Sequence, residues 1–122
     1  MEKGLKYSVS TRVDNTNTAV ALGSGSLDVF ATPAMVALME NAALEAVAKS
    51  LPEGSTTVGT LVNVAHTRAT GMGDIVTAEA VLEEVDGRRL IFSVTASDSK
   101  GQIGKGMHER FIVDCERFLS KL

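Results

Sequence analysis

At 122 residues the chain is long enough for one respectable core and too short for two, so a single domain spanning residues 1–122 is expected. Hydrophobic residues make up 44% and charged residues 22%, a balance that excludes a disordered chain. A net charge of -3 and only 4% aromatic residues argue against broad nucleic-acid binding and against a base-stacking platform.

Any anionic ligand must therefore be held by a local basic cluster. The single cysteine, Cys115, rules out an intrachain disulfide and is compatible with a reducing compartment. The opening residues, MEKGLKYSVSTRV, lack the apolar run of a signal peptide. No stretch reaches the ~18 to 20 apolar residues of a membrane helix. A cytoplasmic protein without a membrane partner is the expectation.

In chain order, residues 5–13 alternate and predict a first strand, with Tyr7, Val9, Thr11 and Val13 on one face. Residues 14–29 are small and polar; residues 18–22 predict at most a short strand and the rest a loop. Residues 30–49, FATPAMVALMENAALEAVAK, carry the one long helical pattern, rich in the strongest helix formers. Thr32 followed by Pro33 reads as an N-cap with proline at the first helical position, or as a hydroxyl that points into a pocket beside the helix, and Leu51-Pro52-Glu53-Gly54 ends the helix near Ser50. Residues 56–70 are rich in Val and Thr and predict one long strand. Three more strands are predicted at residues 75–85, 88–97 and 103–114. Asp86-Gly87 supplies the hairpin signal between the first two, and residues 115–122 read as a short helical turn. One helix cannot cover both faces of a sheet, so the order implies an α+β fold: an antiparallel sheet wrapped around one long central helix.

That helix carries one residue out of pattern. Asn41, Glu45 and Lys49 form a polar stripe at i, i+4 spacing that should face water. Glu40 lies roughly 140° away from it, among Val36, Ala43, Leu44 and Val47. A carboxylate in an apolar wedge is expensive without a partner or a task. It is either an edge glutamate whose head reaches water or a basic group, or a base or nucleophile held in a pocket. His66 shares a strand face with Val62 and Val64, where a lone histidine is more often a core residue than a catalyst. Gly59, inside a strand, marks a bulge or a close backbone approach, and a free N–H there could polarise a carbonyl. Gly104 and Gly106 share their strand face with His108 and Arg110, and tight packing plus surface charge is the favoured reading of that run. Two histidines and one cysteine, tens of residues apart, do not show metal-ligand spacing, and no nucleotide-binding fingerprint is present. No metal and no bound cofactor are expected.

Four segments in order, FATPAMVALMENAALEAV, VGTLVNVAHTRAT, VDGRRLIFSVTASD and IGKGMHER, give the chain its resemblance to the hotdog-fold thioesterases. Within them it resembles the fluoroacetyl-CoA thioesterase-like family over residues 30–113. The resemblance implies the hotdog fold, a homodimer or dimer of dimers, and an acyl-CoA substrate near the dimer interface, with coenzyme A present only as part of that substrate. It also implies a catalytic set that maps to Thr32, Glu40 and His66, with Gly59 near the thioester carbonyl; Phe30 and Arg110 are expected beside these as further substrate-binding residues. The loop ALGSGSLDV is shorter than the family's phenylalanine-bearing lid and has no aromatic before Phe30. What the resemblance carries here is thioester chemistry rather than a fluorinated acyl group.

Two rival readings share the fold. A non-catalytic acyl-thioester-binding module would keep the pocket and the arginines but not need Glu40. A hydratase would want an Asp/His pair on one loop, and none is present. For the phosphates of coenzyme A, Arg68, Arg88, Arg89, Lys105 and Arg110 are available. The Val-rich strand at 56–70 has no proline and no inward charge before Arg68, so it reads as a poorly protected edge suited to pairing with its own copy.

Overall fold

Alternating small and branched apolar residues give the central strands one buried face, and those faces close on a single helix. The computed structural model describes residues 1–122. The elements run β1 (Lys6–Arg12), α1 (Ala19–Leu22), α2 (Thr32–Ala48), β2 (Ser55–His66), β3 (Ile75–Asp86), β4 (Arg89–Asp98), β5 (Gly101–Asp114) and α3 (Cys115–Ser120). The five strands form one antiparallel sheet in the order β1-β3-β4-β5-β2. The α+β arrangement expected from the sequence is the one observed.

Against α2 the sheet buries Val76, Ala78, Ala80 and Leu82 from β3 and Leu90, Phe92, Val94 and Ala96 from β4. The helix answers with Met35, Met39, Ala42, Ala43 and Val47. Each large side chain of this set contributes about 1.5–3 kcal/mol on leaving water. The alanines let the helix approach closely. Two glycines of β5 serve the same end: a Cβ at Gly104 would lie 2.6 Å from Met35 Sδ and 2.8 Å from the Ala65 carbonyl oxygen. A Cβ at Gly106 would overlap the Asn63 carbonyl oxygen and come within 2.6 Å of Val64 Cα. These glycines are required by close approach, not by backbone conformation.

Several local expectations change. Thr32 is not the N-cap of α2: that place falls to Ala31, which makes no side-chain cap bond, and Thr32 is the first helical residue. Its hydroxyl is engaged elsewhere. The helix ends at Ala48, with Lys49 as C-cap. Residues 18–22 form a helical turn and not a strand, because the Thr18 hydroxyl accepts the N–H of Ala21 at 3.2 Å and caps it. β2 stops at His66, short of residue 70. Beyond it Arg68 turns to Asp98 at 2.7 Å, and Thr70 donates to the other Asp98 oxygen at 2.7 Å. Burial pushes the Asp98 carboxyl up, but these hydrogen bonds outweigh it and hold the pKa at about 2.

β2 lies at one edge of the sheet, as its composition suggested, and leaves Leu61 and Val62 exposed. Its pairing with β5 slips by one residue between Gly59 and Leu61. Thr60 is the extra residue of this β-bulge. The slip decides which way the strand faces. His66, Val64 and Val62 pair with Gly104, Gly106 and His108 on the helix side, and beyond the bulge Gly59 pairs with Arg110 on that same side. In an unbroken strand, residues seven apart would point to opposite faces. The bulge puts Gly59 and His66 on one face.

Candidate active site

Two clusters of functional groups sit between α2 and the inner face of β2. The first joins the start of the helix to the end of the strand. Thr32 Oγ1 lies 2.8 Å from His66 Nδ1. The imidazole is part-buried, and its Nε2 is buried without a partner. Desolvation lowers the His66 pKa, against a weaker opposing bond from the Arg68 backbone, so the neutral ring is favoured. Thr32 and His66 line a cavity of ≈ 230 Å³ together with Ala19, Ser24 and Phe30.

The second cluster is centred on Arg110, whose guanidinium is almost wholly buried. Nε donates to Thr57 Oγ1 at 2.7 Å, Nη2 to the Thr57 carbonyl at 2.9 Å and Nη1 to His108 Nε2 at 3.1 Å. His108 Nδ1 lies 2.8 Å from the Leu61 carbonyl oxygen and must donate to it, which leaves Nε2 as the acceptor for Arg110. Burial lowers the His108 pKa, and the nearby Arg110 charge adds to this against the Leu61 bond, so the ring is held neutral. Burial also lowers the Arg110 pKa, and the Glu40 carboxylate opposes it.

Glu40 completes this cluster. Its Oε2 is 3.7 Å from Arg110 Nη1, and its side chain is 39% exposed against 8% for Arg110. The apolar wedge expected around Glu40 is therefore incomplete. The carboxylate faces a guanidinium from a strand that is 70 residues away in sequence, and its outer side is open. Gly59 makes the room: a Cβ there would stand 2.8 Å from Glu40 Oε2, 3.3 Å from His108 Cε1 and 3.4 Å from Arg110 Nη1. His108 and Arg110, favoured from the sequence as surface charge, are buried. The inward placement of Gly104 and Gly106 at two-residue spacing was the available signal. Thr57 gave no signal at all.

The two clusters do not meet within one chain. Thr32 and Glu40 are eight helical residues apart, about 12 Å along the axis.

Residues 13–116 match the family described as fluoroacetyl-CoA-specific thioesterase. The chain belongs to this thioesterase family. It is 45% identical over 95 residues to the fluoroacetyl-CoA thioesterase of Streptantibioticus cattleyicolor, an alignment covering 78% of this chain and 68% of that one. The crystal structure of the fluoroacetyl-CoA thioesterase FlK superposes with a TM-score of 0.93 at 38% identity, over 99% of this chain and 94% of that one. A hot-dog-like protein from Thermanaerovibrio acidaminovorans gives 0.90 at 27% identity, over 99% and 90% of the two chains. The hotdog fold implied by the sequence resemblance is thereby established.

In this thioesterase Phe30 is a core residue, 1% exposed, at the entry to α2. It reaches the cavity beside His66 only as part of its wall. The segment before Phe30 carries exposed aliphatic residues and no aromatic: Val20, Leu22 and Leu27. No helix is long and apolar enough to cross a membrane.

Proposed function

We propose that the protein hydrolyses short acyl-CoA thioesters, with Glu40 as base or nucleophile. The observation that carries this is the Glu40 carboxylate fixed beside a buried guanidinium and a glycine, on the inner face of a thioesterase-family sheet. Either Glu40 takes a proton from water, which attacks the carbonyl carbon, or its own oxygen attacks and water later cleaves the acyl-enzyme. In both routes the carbon–sulfur bond breaks and the thiolate of coenzyme A leaves and is protonated. Oxyanion donors, each worth about 3–4 kcal/mol in acyl transfer, come from the backbone N–H groups beside the bulge at Gly59.

Thr32 and His66 enter this chemistry through a second copy of the chain. The edge of β2 is exposed from Gly59 to Asn63 and again at Ala65. An antiparallel two-fold pairing centred on Asn63 sets Asn63 opposite its own copy and Val62 opposite Val64 of the second copy, and the extra residue at Thr60 then brings His66 opposite its Gly59. The Thr32–His66 pair of one copy then faces the Glu40–Arg110 cluster of the other. The free His66 Nε2 is directed to substrate or water in the completed site. The outer sheet face carries polar pairs, such as Ser10–Thr77 at 2.7 Å and Arg89–Glu109 at 2.6 Å, which favours edge pairing over face stacking.

Hydrolysis of a panel of acyl-CoAs, including acetyl and fluoroacetyl, tests the reading. Turnover of the short members is expected, and CoA binding with no turnover of any member would establish the binding module instead. Sedimentation equilibrium at micromolar concentration is expected to show a dimer; a monomer would remove the shared site. For His66→Gln, turnover should fall ~10- to 100-fold with the melting temperature nearly unchanged, because the ring is only part-buried. Lost stability with an intact rate would return His66 to the core.

A further inference from the structure

Of the five cations that the sequence offered for an anionic ligand, three are spoken for. Arg68 is paired with Asp98 at 2.7 Å, Arg89 with Glu109 at 2.6 Å, and Arg110 belongs to the Glu40 cluster. Lys105 lies on the outer face of β5, exposed. Arg88 is different. It lines a cleft of ≈ 330 Å³ between the start of β2 and α3, and two further cations, Arg117 and Lys121, line the same cleft. None of the three makes a salt bridge within the chain. Arg117 and Lys121 are four residues apart, on one side of α3 and its end, where like charges repel unless an anion is shared. The one carboxylate lining the cleft, Asp114, does not neutralise them: its Oδ1 accepts the backbone N–H of Arg117 at 2.9 Å as the N-cap of α3. Ser55 adds a hydroxyl, and Phe118, 37% exposed, adds an aromatic surface.

We propose that this cleft receives the phosphorylated nucleotide end of the CoA substrate, an inference that rests on the thioesterase reading above. Arg88, Arg117 and Lys121 take the phosphates, and Phe118 offers a face to the adenine. The position suits the length of the ligand. Ser55 is four residues from Gly59 along β2, about 13 Å. Arg88 is pinned to the same end of the sheet, its carbonyl accepting the N–H of Ile112 at 2.9 Å, two residues beyond Arg110. A pantetheine arm laid along β2 joins the cleft to the Glu40 carboxylate.

Calorimetric titration of the full chain with CoA and with pantetheine, which lacks the nucleotide, reads the cleft without turnover. In an Arg88→Ala/Arg117→Ala double variant, CoA affinity relative to pantetheine should fall ~10-fold or more, as expected for lost charge-assisted bonds. The wild-type preference for CoA should also weaken as salt is raised. Lys6→Ala, on the far edge of the sheet, should keep the wild-type ratio. An unchanged ratio in the double variant, or equal weakening of both ligands, overturns the assignment. The hydrolysis panel reports separately on the thioesterase reading: CoA held through the cleft by a chain that turns over no thioester would defeat that reading and leave this one standing.

Discussion

Glu40→Gln is expected to lower acyl-CoA hydrolysis by ~100-fold or more, the loss that follows removal of a general base. The amide keeps the size and one acceptor oxygen, so the substrate cavity should be preserved. From the sequence alone, removing this charge should leave stability unchanged or raise it, because a carboxylate in an apolar wedge is destabilising. The structure reverses that sign. Glu40 is opposite an almost fully buried guanidinium, and its loss takes away the only anion near it. Because the Glu40 side chain is 39% exposed and the contact is 3.7 Å long, the stability lost should stay below about 1 kcal/mol. Thermal melting together with thioester hydrolysis measures both effects. Glu45→Gln, on the water-facing stripe, should change neither. A wild-type rate in Glu40→Gln would eliminate the catalytic reading and leave a binding module.

Arg110→Met is expected to harm both stability and rate. Methionine fills most of the volume but donates nothing. The Thr57 carbonyl and His108 Nε2 would lose the donors now at 2.9 and 3.1 Å. Each buried polar group left unpaired costs about 1–3 kcal/mol, so a loss of about 2–6 kcal/mol is expected for the two. The rate should drop ~100-fold, since Glu40 loses the group that holds it beside Gly59. Arg110→Lys should restore little, because one ammonium cannot reproduce the fork across Thr57 and His108. The double variant with Glu40→Gln should be little slower than the worse single variant, because the two residues act as a unit. Additive rate losses would show that Arg110 and Glu40 work independently, and a fully active, stable Arg110→Met would refute the role given to the cluster.

The fold was legible because its signals are local. Two-residue alternation in Val76 to Leu82 and in Leu90 to Ala96 sets the buried face of each strand, and Asp86-Gly87 turns one into the other. The central helix announces itself through composition. The site was legible only in part, because its partners are remote in sequence. Nothing local tells Glu40 that Arg110 will stand 3.7 Å away, or tells Thr32 that its hydroxyl will meet His66 at 2.8 Å instead of capping its own helix. His108 and Arg110 looked like exposed charge because polar residues within a strand usually are. Only the register of β5 between β4 and β2 turns them inward. The cleft beside α3 is not legible in the sequence for the same reason, since Arg88 and Lys121 converge only through the sheet.

The bulge at Thr60 makes the length of β2 a heritable constraint. Loops tolerate single insertions and deletions, but between residues 59 and 66 a change of one residue reverses the facing of everything on one side of it unless a bulge is lost or gained at the same time. Removing Thr60 alone takes the bulge away and leaves Gly59 and His66 six residues apart, still on one face, so a cooperative melt and hydrolysis should both survive. Removing Thr60 and Leu61 together leaves five and should turn Gly59 to the outside, so that hydrolysis is lost from a folded protein. Lost hydrolysis in the single deletion, or full hydrolysis in the double one, would refute it. Substitutions can drift along this edge, but its residue count can change by one only where a bulge is lost or gained with it.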